Sequence, residues 1–305
     1  MEYSNDYDQA YTQDYYNQYR STVQNGTARI PICFCVDVSK SMGFVSNPES
    51  DLIIENGPSF MEDGMNARHV RAKTGVSLHY FIEDAVRSID QMLQSIKENS
   101  FLSNAAVVSI ITFSQFSDCI VEFSDVWSIN WDQLREIRVN ERLRDETNAA
   151  KGLRMALTRL DQYSRMLESR GNESYKPVLI FISDGIPTDT AEADAVGKEI
   201  RKRSDNGSMN VFPIGIGNAI DEAWMRSLSR SEEIYRTRYK EDYNRIFEII
   251  TTKAARASVS LAADESTTAS REEDERTKIA GDSYTQEVDD DDFFIQLLEH
   301  VIENG

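Results

Sequence analysis

The chain has 305 residues, of which 40% are hydrophobic and 28% charged, proportions that are ordinary for a soluble globular protein. Its net charge of −19 lies mainly at the two ends, because residues 259–305 contribute −11 and residues 1–28 contribute −3, which leaves about −5 for the middle. Nucleic-acid binding through phosphate groups requires a basic face, and the sequence has none, so we expect no nucleic-acid partner.

The N-terminal segment, residues 1–28, is rich in Tyr, Asn, Gln and Asp and has almost no aliphatic residues. It cannot bury enough apolar surface to offset chain entropy, which favours a flexible tail. Five tyrosines nevertheless recur at every fourth residue, a spacing that would place them on one face of a docked helix. The flexible tail and the docked helix are both left open as interpretations. The five tyrosines are Tyr3, Tyr7, Tyr11, Tyr15 and Tyr19.

A domain of alternating strands and helices is predicted over residues 29–258. Its strands are continuous apolar runs, which indicates a mostly parallel sheet with helices on both faces. The resulting fold class is α/β, doubly wound, with the strand at 119–123 as an antiparallel edge. Strands are predicted at 30–36, 105–113, 119–123, 177–182, 211–216 and 234–236, and helices at 78–96, 149–166, 191–203, 221–228 and 243–257.

Two further segments stand outside this alternation. Residues 43–76 are rich in Gly, Asn, Pro and Met without periodicity, which indicates an insertion that is either a lid beside a ligand or disordered. Residues 259–305 begin as a polar linker and end, after four aspartates, in a short amphipathic helix. That helix either folds back on the domain or binds a partner groove.

The cysteines and the apolar segments bear on location. Cys33, Cys35 and Cys119 lie in or beside apolar runs, and with only three histidines they make a poor zinc set, so we expect buried, reduced thiols. No N-terminal segment resembles a signal peptide, and no apolar run approaches the roughly 20 residues that cross a bilayer. We expect a cytoplasmic protein without a membrane partner.

Oxygen-bearing side chains follow two predicted strands. The apolar segment ICFCV leads into Asp37-x-Ser39-x-Ser41, and the apolar segment VLIFI leads to Asp184. Ligands of doubly wound sheets bind at the carboxyl ends of strands. Thr147, just before a predicted helix, supplies a third hydroxyl. Because Mg²⁺ prefers oxygen ligands, these five residues predict a divalent-cation site.

Together the five residues resemble the metal-ion-dependent adhesion site of von Willebrand factor A domains, and the resemblance covers about residues 29–258. Two departures lie near the site. Lys40 stands where many relatives have Gly, and the segment RLRDET, which ends at Thr147, replaces a Gly-rich loop. The segments ISDGIPTD and VFPIGIG are most similar to bacterial cytosolic stand-alone domains of the tellurium-resistance type.

The resemblance implies a non-enzymatic interaction module that depends on a divalent cation. Mg²⁺ is expected, with Mn²⁺ or Ca²⁺ as alternatives, and a partner protein would offer it a Glu or Asp side chain. Three neutral hydroxyls would leave the charge of the cation largely uncancelled, while the two carboxylates would act through bound waters.

Further predictions concern the residues beside the metal ligands and the cellular system to which the protein belongs. Lys40, Asn148 and Gly185 flank the predicted metal ligands and are predicted to contact the bound ligand. The subfamily resemblance implies a bacterial stress-response or phage-defence system, with a kinase or phosphatase of the same gene cluster as the partner.

Two alternatives remain at the level of sequence. The first is a Mg²⁺-dependent phosphatase or hydrolase with Asp37 as nucleophile and Asp189 as a further acid. Against it, Ser39 stands where a haloacid-dehalogenase-like pattern requires a second acid. The second is a scaffold that acts through its tails, with a vestigial metal site.

Overall fold

A computed structural model of the chain describes residues 28–47, 49–54, 70–99, 101–138, 146–217 and 220–237. All of them belong to the first of two units, Met1–Ala263 and Asp264–Gly305, into which the chain divides. Residues 1–27 of the Tyr-rich segment, the helix predicted at 243–257 and the C-terminal segment 259–305 lie outside the described residues.

Eight strands and six α-helices occupy the described part of the chain. The strands are β1 (Ile30–Asp37), β2 (Leu52–Ile54), β3 (Val70–Ala72), β4 (Ala106–Phe113), β5 (Ser117–Asp125), β6 (Val178–Ser183), β7 (Asn210–Ile216) and β8 (Tyr235–Thr237). The helices are α1 (Phe81–Glu98), α2 (Leu102–Ala105), α3 (Trp131–Arg135), α4 (Ala149–Ser169), α5 (Thr190–Asp205) and α6 (Glu222–Ser227).

Six strands form the larger sheet, in the order β5-β4-β1-β6-β7-β8. Every neighbouring pair is parallel except β4 and β5, which confirms the predicted doubly wound α/β fold with one antiparallel edge strand. The strand order reverses at β1, because the chain continues to β4 on one side and later to β6 on the other. The carboxyl ends of β1 and β6 therefore adjoin at the switch point where ligands of such sheets bind.

Two hydrophobic cores, one on each face of the sheet, explain the continuous apolar runs. All eight residues of β1 are buried, and they alternate between the faces. Phe34 belongs to the core beneath α1, whereas Cys33 and Cys35 belong to the core beneath α4 and α5. Cys33 and Cys35 are free and buried, as predicted, and Cys119 is free and half-buried.

The insertion after β1 has more structure than its sequence predicts. Strands β2 and β3 pair antiparallel, with Leu52 opposite Ala72. Val45 bridges Tyr80, and Val45 and Leu52 form a small core of their own. Each of these strands has three residues, which is too short for a hydrophobic period to appear in the sequence.

The same bridge explains why α1 begins at Phe81 rather than at residue 78. Tyr80 is held in an extended conformation opposite Val45, and the backbone amide of Phe81 donates to the carbonyl of Phe44. The short helices α2 and α3 were not predicted, since helices of four and five residues show no periodic pattern. None of the helices in the described ranges combines the length and apolar character needed to cross a membrane.

A glycine allows α4 to approach the end of β4. A Cβ atom on Gly152 would lie 2.7 Å from side-chain atoms of Phe113, closer than non-bonded atoms can stand. Phe113 is the last residue of β4 and is fully buried. This close approach brings the first turn of α4 to the carboxyl edge of the sheet.

We expect Gly152→Ala to lower the free energy of unfolding by about 1–3 kcal/mol, because the added methyl group overpacks the contact with Phe113. The gain of roughly 1 kcal/mol in helix propensity from Gly to Ala acts in the opposite direction and is smaller than the clash. Urea unfolding with an unchanged m-value measures the loss. Arg154→Ala, on the exposed side of α4, is the matched control. Equal stabilities of the two variants would contradict the close approach.

Candidate metal site

The end of β1 places a buried carboxylate at the switch point. Asp37 is the last residue of β1 and is fully buried. Its Oδ1 accepts a hydrogen bond of 2.8 Å from the backbone amide of Ser39. Beyond it, the chain enters a 3-10 turn, Lys40–Gly43, and the buried side chain of Met42 joins the core beneath α1. The turn is therefore anchored at both ends.

Three side-chain oxygens meet beside this carboxylate. Ser39 Oγ lies 3.1 Å from Ser41 Oγ, and Ser41 Oγ donates a 2.9 Å hydrogen bond to Asp184 Oδ1. Oxygens that are adjacent in an octahedral Mg²⁺ shell, with bonds of 2.0–2.1 Å, are about 2.9 Å apart. Both contacts are close to this spacing.

Asp184 reaches the site because β6 runs parallel to β1. The register pairs Val36 with Ile182, which brings Ser183 beside Asp37. Ser183 Oγ donates a 2.6 Å hydrogen bond to Asp37 Oδ2. Sequence analysis did not identify Ser183. The one feature of the sequence that could have pointed to Ser183 is its hydroxyl at the end of the otherwise apolar strand β6.

The environment of Asp37 makes its negative charge costly in the absence of a counter-charge. Burial raises the pKa of Asp37 to about 6, while the hydrogen bonds from Ser183 and Ser39 act in the opposite direction. Burying an ionised carboxylate is unfavourable unless it is paired or bound to a metal. A cation at the neighbouring oxygens would supply that compensation.

Thr147 approaches from a different loop, directly before α4. It is buried, and its carbonyl accepts a 2.9 Å hydrogen bond from the backbone amide of Thr188. A Cβ on Gly185 would lie 3.5 Å from Thr147 Oγ1, so the loop after β6 lies against this hydroxyl. The next residue, Asn148, donates its backbone amide to the carbonyl of Ser114, at 3.0 Å. Thr147 is thereby held between the loops that follow β6 and β4.

The first turn of α4 is fixed by a residue that sequence analysis assigned only to the hydrolase alternative. The Asp189 carboxylate accepts hydrogen bonds from the backbone amides of Ala149 and Ala150, at 3.0 and 2.8 Å. An acceptor carboxylate at this position satisfies free N–H groups and favours the helix dipole. When the amide of Asn148 is oriented so that its oxygen accepts from the Lys151 ammonium, its nitrogen also donates to the Asp189 carboxylate. Asp189 thus holds the start of α4, and through it the position of Thr147, which lies just before this helix.

The structure accordingly brings the five predicted metal ligands to one edge of the sheet. Ser39, Ser41 and Asp184 are linked by short contacts between their side chains, and Asp37 contacts the backbone of Ser39. Their assignment as metal ligands stays a prediction. Lys40 is exposed on the 3-10 turn, and Asn148 and Gly185 are half-buried beside the site.

A different kind of metal site finds no support in the described ranges. They contain no group of three or more His, Cys, Asp or Glu side chains that could hold a metal ion. The candidate site has only two carboxylates, and its remaining oxygens are hydroxyls. This composition suits a hard cation better than a soft thiolate or imidazole site.

Comparison with known proteins places the fold in a family. The profile of the von Willebrand factor type A domain matches residues 77–252, a range that includes Thr147 and Asp184 and begins after the segment with Asp37, Ser39 and Ser41. No curated protein sequence matches the chain significantly.

The chain is also similar to solved structures. The PilB minor pilin of Streptococcus sanguinis has a TM-score of 0.53 and 14% identity, over 79% of this chain and 64% of the pilin. Its D319A mutant has a TM-score of 0.52 at 14% identity, over 78% and 64%. Proximal thread matrix protein 1 of the mussel byssus, with a zinc-occupied MIDAS motif, has a TM-score of 0.45 at 13% identity, over 76% and 49%. The chain thus spans less than two thirds of the pilin, and the likeness to the pilin concerns the fold.

We expect Asp189→Ala to reduce the free energy of unfolding by about 0.5–2 kcal/mol, the usual effect of losing a helix cap. Two backbone amides of α4 would lose their acceptor. Thermal or urea unfolding measures the effect, and Asp194→Ala, which removes an exposed carboxylate from α5, is the control. A similar loss in both variants would show that Asp189 has no special role in capping α4.

Proposed function

The chain belongs to the von Willebrand factor type A domain family, and we propose that it binds a partner protein through a divalent cation and is not an enzyme. The proposed metal ligands are Asp37, Ser39, Ser41, Thr147 and Asp184. The observation that carries the proposal is the contact of Ser39, Ser41 and Asp184, because hydroxyls and a carboxylate from loops more than 140 residues apart meet at the switch point of the sheet.

The donor set fits Mg²⁺, with Mn²⁺ or Ca²⁺ as alternatives, because every donor is an oxygen. When bound, the cation supplies positive charge that attracts an anionic oxygen of the partner. The hydroxyls of Ser39, Ser41 and Thr147 are neutral and leave that charge largely uncancelled. Asp37 is held in place by Ser183 and by the backbone of Ser39, so it can orient the donors around it.

The partner's group is then a Glu or Asp carboxylate. A carboxylate that meets a cation forms a charge-assisted contact, which is stronger than a neutral hydrogen bond. Exposed Lys40, next to Ser39 and Ser41, adds a positive charge at the same edge. One such contact needs a surrounding surface to give useful affinity.

The geometry of Asp37 supports a binding role over the phosphatase alternative. A carboxylate nucleophile must approach its substrate, whereas Asp37 is fully buried and both of its oxygens accept hydrogen bonds from the protein. Asp189, the further acid of that alternative, accepts hydrogen bonds from the first turn of α4 instead.

The cellular setting of the proposal rests on sequence resemblance alone. The segments ISDGIPTD and VFPIGIG support a cytoplasmic bacterial protein of the tellurium-resistance type, in a stress-response or phage-defence system. A kinase or phosphatase of the same gene cluster is the proposed partner. Action through the tails remains the competing proposal.

Metal binding is the first prediction of this function. We expect the purified protein to bind one Mn²⁺ or Mg²⁺ by calorimetry, and Ser39→Ala to weaken Mn²⁺ binding by about 10–100-fold. The fold should persist in circular dichroism, since Ser39 lies outside the apolar cores. Ser128→Ala is the matched control, because that hydroxyl is exposed at the other end of β5 and donates to the carbonyl of Asp125. Equal affinity of both variants for Mn²⁺ would refute the assigned site.

Partner capture is the second prediction. With the protein as bait in lysate of its own cell, we expect a partner that is retained in Mg²⁺, lost in EDTA, and lost again with Asp37→Ala. A partner retained under all three conditions would move the function to the tails or to the insertion. An Asp37→Ala protein that fails to fold would identify Asp37 as structural, and Ser41→Ala would then serve as the test variant.

A further inference from the structure

Two large apolar side chains are exposed on the loops that hold the candidate site. Phe116 is 63% exposed and Ile186 is 56% exposed. Burying such side chains is favourable, so their exposure is unfavourable for the isolated domain. A contiguous group of exposed apolar side chains marks an interaction surface, whereas isolated ones are ordinary.

The turn that carries Phe116 shares a backbone hydrogen bond with the segment that carries Thr147. It lies in the tight connection between β4 and β5, where the backbone amide of Ser114 donates to the carbonyl of Phe116 at 2.8 Å. The carbonyl of Ser114 in turn accepts from the backbone amide of Asn148, the residue after Thr147. The ring of Phe116 is therefore presented by a short, hydrogen-bonded turn next to the candidate site.

Ile186 is held in position on the loop that follows β6. It is the second residue after Asp184, and the neighbouring Gly185 lies against Thr147 Oγ1. Farther along the loop, the backbone amide of Thr188 donates to the carbonyl of Thr147. Pro187 is buried while Ile186 is exposed, so the loop is anchored on both sides of an outward-facing apolar side chain.

Positive charge accompanies these apolar groups. The ammonium group of Lys151 lies 5.8 Å from the centre of the Phe116 ring and donates to the carbonyl of Gln115 at 2.9 Å. Lys40 is exposed on the turn that contains Ser41. The surface around the site thus combines two apolar side chains with two cations, which is complementary to an acidic group flanked by apolar ones.

We infer that the partner presents its acidic residue in a short segment with large apolar residues beside the acid, and that Phe116 and Ile186 bind those residues. The inference rests on the proposed function, because the acid at the cation sets the position of the segment. Ile186 is two residues after Asp184, and Phe116 is two residues after Ser114, whose carbonyl accepts from the backbone amide of Asn148 beside Thr147. Two extended residues of the partner span at most about 7 Å, so we expect its apolar residues within two positions on either side of the acid.

The test uses the full chain and a displayed peptide library with a fixed central Glu or Asp and random residues on both sides. Panning in Mg²⁺ should enrich Phe, Tyr, Trp, Leu, Ile or Val within two positions of the acid. Fluorescence anisotropy then measures the affinity of one enriched peptide. Phe116→Ser and Ile186→Ser should each weaken it by about tenfold or more, while the affinity for Mn²⁺ stays unchanged.

Trp127→Ser is the matched control. Trp127 is 64% exposed, nearly the same as Phe116, but it lies beyond the opposite end of β5. Its loss should leave peptide affinity unchanged.

The outcomes separate this inference from the proposed function. Acidic peptides without apolar neighbours, lost in EDTA, would overturn the inference and leave the proposed function standing. So would peptide affinities that are unchanged in Phe116→Ser and Ile186→Ser. Enrichment that persists in EDTA, or enrichment of no sequence at all, would count against both.

Discussion

The buried carboxylate of Asp37 is the constraint on which the candidate site depends. It ends the central strand, is fully buried, and accepts hydrogen bonds from the amide of Ser39 and the hydroxyl of Ser183. A buried charge is tolerated only where partners compensate it, so the surrounding loops must supply them. The amide of Ser39 and the hydroxyl of Ser183 are two such partners, and a cation at the oxygens of Ser39, Ser41 and Asp184 would supply a further one.

The topology of the sheet explains why these loops meet. From β1 the chain continues to β4 on one side and later to β6 on the other. The loops after β1 and its two neighbours therefore diverge, and a crevice forms between them at the carboxyl edge of the sheet. The loops after β1, β4 and β6 and the start of α4 border this crevice. Gly152 permits the close approach of α4 to Phe113, and Asp189 caps its first turn. The loops of the site are therefore anchored to strands and to a capped helix, which favours a fixed arrangement of its oxygen atoms.

Most of the fold could be predicted from the sequence, because buried parallel strands leave continuous apolar runs and α1, α4 and α5 have helical periodicity. The strands at 30–36, 105–113 and 211–216 were predicted to within one residue of β1, β4 and β7. The candidate metal ligands could also be proposed, since Asp37, Ser39 and Ser41 follow a strand directly. Each of these features depends only on residues that are close together in the sequence, so the sequence alone is enough to predict it.

Tertiary structure alone decided which distant groups meet. The hydrogen bond from Ser183 to Asp37 joins residues 146 positions apart, and Asp189 contacts a helix that begins 40 positions before it. No hydrophobic period predicts such pairs, because they depend on strand order and register. Likewise, α1 begins at Phe81 and not at residue 78, where the helical pattern predicts its start, because Tyr80 pairs with Val45. The sequence thus determined the elements and the chemistry available at their ends, and packing determined which of those side chains form one site.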